Sequence, residues 1–112
     1  MKENIKNITY KEIRNDSIFN KPYTIIFLYN SSCVGSYLTE LSLLEIVEEL
    51  SEQVSLYKLD VIGNEEINTD YNMFEKSIIL IYKCTRLIDK IPGLTPKKNL
   101  KEIIHKHIKH KA

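Results

Sequence analysis

Tyr23-Thr24-Ile25-Ile26-Phe27-Leu28-Tyr29-Asn30-Ser31-Ser32-Cys33-Val34-Gly35-Ser36 is the stretch that decides the fold. Its first half is a nearly continuous apolar run, rich in β-branched and aromatic residues. It reads as a central strand buried on both faces. Asn30-Ser31-Ser32 reads as a turn whose oxygens cap a following helix. Leu38, Leu41, Leu44 and Val47, with Leu43, Ile46 and Leu50 beside them, recur at threes and fours. That spacing predicts a helix to about Glu52 with a wide inward stripe. Cys33 therefore falls at a strand-to-helix junction. Ser36 stands where a two-thiol redox site carries its second cysteine.

Outward from this unit, the elements alternate. Ile5–Thr9 reads as a short strand and Tyr10–Phe19 as a short helix interrupted near Asn15-Asp16-Ser17. Val54–Ile62 reads as a second central strand closed by Gly63-Asn64, and Glu65–Asn72 as a short polar helix or turn. Ser77–Tyr82 is another continuous apolar run. Cys84-Thr85-Arg86 turns the chain into a hairpin partner, Leu87–Lys90. Thr95 and Pro96 start a last helix with Leu100, Ile103, Ile104 and Ile108 inward. The order β-α-β-α-β-α-β-β-α predicts an α/β three-layer fold. Its mixed sheet has about five strands, flanked by about four helices.

The chain has 112 residues, 43 % of them apolar and 28 % charged, with a formal net charge of +1. This is the composition of a single globular domain over residues 1–112. The charge balance gives no electrostatic footprint for nucleic acid. The charged N-terminus lacks the apolar core of a secretory signal, and the longest apolar runs are too short for a bilayer. No membrane association is expected, and a cytoplasmic location is. With only two cysteines and no C-x-x-C pair, a cysteine zinc cluster is excluded. No metal or other cofactor is expected. His105, His107 and His110, interleaved with lysines, read as a solvated helix end.

The element order, with a cysteine opening the helix after the second strand, resembles the thioredoxin family over nearly the whole chain. Lys21-Pro22 before the apolar strand, Lys58 and Asp60 within Val54–Asn64, the run Tyr71–Lys83, and Gly93 followed by Leu100 carry the resemblance. The departures gather at the chemistry. The family motif Trp-Cys-Gly-Pro-Cys is replaced by Ser32-Cys33-Val34-Gly35-Ser36. The family's buried aspartate falls at Phe27, while its lysine partner position still holds Lys58. The family's cis-proline falls at Ser77. A cis bond before a non-proline residue costs about 3 kcal/mol, so a trans Lys76–Ser77 bond is expected.

A cysteine at a helix N-terminus faces free N–H groups and the positive end of the helix dipole, which favour the thiolate. The resemblance implies that Cys33 attacks disulfides, that Ser36 modulates the thiolate, and that Lys76 adds positive charge nearby. Ser32, Val34, Gly35, Lys76 and Ser77 are the expected substrate-binding residues. Ser36 is too poor a nucleophile to resolve a mixed disulfide. Cys84 stands about 20 Å along a strand from Ser77, too far for the roughly 7 Å limit of a disulfide. The expected activity is monothiol C-x-x-S exchange, with a protein or low-molecular-weight thiol as partner. The alternative is a non-catalytic interaction module on the same fold.

Overall fold

Tyr23–Tyr29 is the axis of the structure. In the computed structural model, which describes residues 5–31, 35–50, 52–64, 66–67 and 77–108, it forms the central strand of a five-stranded sheet. The elements are β1 (Lys6–Asn7), α1 (Tyr10–Arg14), β2 (Tyr23–Tyr29), α2 (Ser36–Glu48), β3 (Val54–Asp60), β4 (Ile78–Lys83), β5 (Arg86–Pro92) and α3 (Lys97–His107). The sheet order is β1-β3-β2-β4-β5. β3 runs parallel to both β1 and β2, whereas β4 runs antiparallel to β2 and β5.

The continuous apolar runs arise because both sheet faces are covered. Ile25 and Phe27 of β2, with Ile79 and Ile81 of β4, pack under Leu43, Ile46, Leu100 and Ile104 of α2 and α3. Ile26, Leu28 and Leu80 point the other way, against Ile8, Tyr10, Ile13 and Ile18 of the α1 region and against Ile67. The three layers expected from the sequence are therefore present.

Among the described residues there are three helices rather than the expected four. The span Glu65–Asn72, read as a helix or turn, lies largely outside those residues. β5 extends beyond Leu87–Lys90 at both ends, and α1 stops at Arg14. α1 is fixed by a capping box. The Glu12 amide donates to Thr9 Oγ1 at 3.3 Å, and the Thr9 amide donates to Glu12 Oε1 at 2.9 Å. Its signature, Thr-x-x-Glu, is written in the sequence.

The inward stripe of α2 is rotated from the predicted one. Ser36, Thr39, Leu43, Ile46 and Val47 are buried, whereas Leu38 and Leu41 are exposed. Both sets satisfy helical spacing. Small hydroxyl residues take the inner face at the first turn, where the helix runs close to the β4 and β5 ends. α2 closes at Glu48, short of Glu52.

Pro96, not Thr95, occupies the cap position of α3, without a side-chain cap bond. The Thr95 hydroxyl instead donates to the Pro92 carbonyl at 2.7 Å. The solvated-tail expectation fails for the histidines that are described. His107 Nε2 lies 2.7 Å from Asp89 Oδ2 of β5, and His105 Nε2 lies 3.7 Å from Glu49 Oε1. α3 lies flat enough on the sheet that its last turn reaches β5 and the end of α2. His110 is outside the described residues.

Thr24 is fully buried on β2, and its hydroxyl has no hydrogen-bond partner. An unmet hydroxyl costs more than an apolar group of the same shape. Thr24→Val is expected to raise stability by about 1 kcal/mol, read as an upward shift of the urea midpoint. An unchanged or lowered midpoint contradicts this account of Thr24.

Candidate functional site

The C-terminal ends of parallel strands are where open α/β sheets place their ligands. Here β2 ends at Tyr29 and the chain crosses to α2 through Asn30-Ser31. Asp60, at the end of β3, fixes that crossing. Its Oδ1 accepts from the Ser31 amide at 3.2 Å and from the Ile62 amide at 3.1 Å. Ser32, Cys33, Val34 and Lys76 lie outside the described residues, as does the Lys76–Ser77 peptide bond. Of the residues expected at the site, Gly35, Ser36 and Ser77 are placed, and the fold brings them together.

Ser36 is the first residue of α2 and is buried at 7 % exposure; Ser77, just before β4, is buried at 8 %. Their hydroxyl oxygens lie 3.3 Å apart, and Ser36 also donates to the Asn30 carbonyl at 3.4 Å. The expected capping by Asn30-Ser31-Ser32 gives way to Gly35, which holds the cap position without a side-chain bond. Glycine is useful there for space: a Cβ on Gly35 would come within 3.2 Å of Leu94 Cδ2.

Gly93 locks the other side of the site. Its amide donates to the Ser77 carbonyl at 2.9 Å, and its own carbonyl accepts from Thr39 Oγ1 at 2.6 Å. One glycine thus ties the β5–α3 turn to β4 and to the first turn of α2. Thr39 was missed by sequence reasoning. Its only signal is a hydroxyl at helical spacing from Ser36, which becomes meaningful once Gly93 is known to face it.

On the same sheet face, Lys58 of β3 is held by Glu40 of α2, with Nζ 3.2 and 3.1 Å from the two carboxylate oxygens. The ammonium also lies 5.6 Å from the Tyr29 ring centroid. Phe27, beside Lys58 in the sheet register, is fully buried and stacks on Tyr29. Burial pushes the Tyr29 phenol above its ordinary value; Lys58 opposes that rise, and Asp60 and Glu40 add to it.

Apolar surface gathers around the site. Tyr37, Leu38 and Leu94 are 66 %, 67 % and 71 % exposed. Gly35, Leu38, Ser42, Leu94, Pro96 and Lys97 line an open groove of about 220 Å³ between α2 and the β5–α3 turn. Cys84 is exposed at the opposite end of the sheet, its amide donating to the Pro22 carbonyl at 2.8 Å before β2 begins. The length of β2, about 20 Å, therefore separates it from Ser36. No cluster of metal-ligating side chains occurs among the described residues, and no described helix is long and apolar enough to cross a membrane.

A Cβ on Gly93 would sit 2.5 Å from Ser77 Cβ and 3.0 Å from its backbone. Gly93→Ala is therefore expected to cost about 1–3 kcal/mol. Thr39→Val, which strips the Gly93 carbonyl of its donor, is expected to cost about 1–2 kcal/mol. Denaturant unfolding measures both. Wild-type stability in either variant contradicts the lock described for Gly93.

No family model matches the chain. The thioredoxin of Staphylococcus aureus is 29 % identical over 64 residues, covering 57 % of this chain. The chain spans 62 % of the length of that curated relative. The solved structure of mitochondrial thioredoxin 3 from Saccharomyces cerevisiae, in its oxidized form, superposes with a TM-score of 0.75 at 21 % identity, covering 91 % of this chain and 94 % of the other. A chain from a structural study of thiol resolution in yeast mitochondrial 1-Cys peroxiredoxin via glutathione/thioredoxin systems superposes at 0.76 with 23 % identity and the same coverages of 91 % and 94 %. With its sheet order, its helix placement and the junction after β2, the chain has the thioredoxin fold and is thioredoxin-like.

Proposed function

We propose that residues 1–112 form one domain that carries out monothiol thiol–disulfide exchange through Cys33, in a reducing, cytoplasmic setting. The observation that carries this reading is the Ser36–Ser77 contact. The buried Ser36 hydroxyl, at the start of α2 and three residues after Cys33 in sequence, lies 3.3 Å from the buried hydroxyl of Ser77, just before β4. The described thiol, Cys84, lies a full strand length away. On this reading Cys84 is too distant to release a mixed disulfide at Cys33.

The Cys33 thiol loses its proton to solvent, and the thiolate attacks one sulfur of the partner's disulfide. A Cys33–partner disulfide forms, the partner's S–S bond breaks, and the departing thiolate takes up a proton. An external thiolate, protein-borne or of low molecular weight, attacks the partner's sulfur: the Cys33–partner bond breaks, a disulfide between the external thiol and the partner forms, and Cys33 leaves as a thiolate that takes up a proton. Ser36, already engaged with Ser77 and Asn30, is a weak donor to that thiolate. Gly35 and Ser77, with the apolar groove beside Leu38 and Leu94, receive the partner's chain. Ser32, Val34 and Lys76 complete this surface in the reading from sequence.

The exposed apolar groove also suits a second reading, an interaction module without redox turnover. One experiment separates the two: the pH dependence of Cys33 alkylation in a Cys84→Ser background. Monothiol exchange requires a midpoint clearly below the free-thiol value of about 8.5. A midpoint at or above that value leaves the interaction module. Ser36→Cys tests the missing thiol directly. It is expected to confer dithiol-driven insulin reduction that the parent lacks, whereas strong activity in the parent contradicts the monothiol reading.

A further inference from the structure

On the sheet face that carries α1, a cleft opens between that helix and the segment after β3. Tyr10, Lys11, Arg14, Asn15 and Glu66 line it, and its volume is about 360 Å³. That is room for a small molecule. Its walls are held in place. Tyr10 is buried with Ile8, Ile13 and Ile67. The capping box of Thr9 and Glu12 fixes the start of α1. On the other wall the Ile67 amide donates to the Asn64 carbonyl at 3.0 Å, and Asn64 Nδ2 donates to the Asp60 carbonyl at 2.8 Å. The Arg14 guanidinium lies 5.7 Å from the Tyr10 ring centroid, a contact that steadies it and leaves its N–H edge to an acceptor.

The charges in the cleft face one another without cancelling. Lys11 and Arg14 stand three residues apart on α1 and share a face. Glu66 comes from the opposite wall, and among the described residues no ion pair joins it to either cation. Glu12 is spent on Thr9, and Asp16 does not line the cleft. The carbonyls that end α1 are also spent. Those of Lys11, Glu12 and Ile13 accept from the Asn15 amide, the Ser17 hydroxyl and the Asp16 amide. Asn15 Oδ1 accepts from the Ser17 amide at 3.0 Å, so the group Asn15 has left to offer is its Nδ2 donor.

We propose that this cleft binds an acidic α-amino acid. Two cations and one carboxylate are the complement of a molecule with two carboxylates and one ammonium. The ligand's carboxylates meet Lys11 and Arg14, whose planar fork suits a carboxylate edge, and its ammonium meets Glu66. An inorganic anion, or a dicarboxylate without an amine, leaves Glu66 opposing it across the cleft. The role asked of these residues is independent of Cys33.

The test titrates L-glutamate into the full, 15N-labelled chain and follows backbone amides and the Arg14 Nε–Hε by NMR. Low ionic strength is used because salt screens charges in an open cleft. Saturable shifts confined to residues 10–15 and 66–67 are expected. Glutarate, which lacks the ammonium, and L-glutamine, which lacks the second carboxylate, are expected to bind about threefold to tenfold more weakly. Lys11→Gln and Arg14→Gln, both at exposed positions, are each expected to weaken L-glutamate by a similar factor. Glu66→Gln is expected to erase the preference for L-glutamate over glutarate. Shifts that do not saturate, that fall outside the cleft, or that sodium sulfate reproduces at matched ionic strength overturn the proposal. So does a Glu66→Gln variant that keeps the preference.

Discussion

The double burial of β2 is the constraint on which the rest of the structure depends. A strand with Ile25 and Phe27 on one face and Ile26 and Leu28 on the other needs a layer on each side. α2 and α3 supply one layer, and the α1 region supplies the other. β3 and β4 then take the two free edges of β2, one parallel and one antiparallel. Once this is settled, the chain leaving Tyr29 can reach its covering helix only across the C-terminal end of the sheet. The site is at that end because the core requires it.

The position of the site and its chemistry come from different parts of the chain. Position is built from contacts that tolerate little change, above all the approach of Gly93 to Ser77 and the hydroxyl tie from Thr39. The hydroxyls and charges near the start of α2 form a separate set. Ser36 and Ser77 answer each other there. Phe27 fills the core beside Lys58, and Glu40 reaches in from the helix to hold the lysine's charge. The carboxylate facing Lys58 thus sits on α2 rather than on the neighbouring strand.

Much of this was legible in the sequence, for identifiable reasons. The β2 run and the alternation after it gave the layers, since continuous apolar strands bear one interpretation when helices separate them. The resemblance put Ser77 among the site residues, but its contact with Ser36 was not legible, because the two lie 41 residues apart in sequence. The rotation of α2 was not legible. Leu38 and Leu41 fit a helical stripe as well as Ser36 and Thr39 do, and hydrophobicity alone favoured the leucines. Only tertiary contact with Gly93 selects the hydroxyl face. The His107–Asp89 pair was hidden for a similar reason, because its partners lie on α3 and β5 and no local pattern links them.

The outer strands carry a consequence of another kind. Sheet edges offer unpaired backbone groups to any neighbouring chain. β1 spans only Lys6–Asn7, too short a template for a foreign strand. β5 presents Arg86, Asp89 and Lys90 and ends in Pro92, which has no amide hydrogen to donate. A molecule that must leave apolar side chains uncovered at one end of its sheet is thereby guarded along both sides against stacking into fibres.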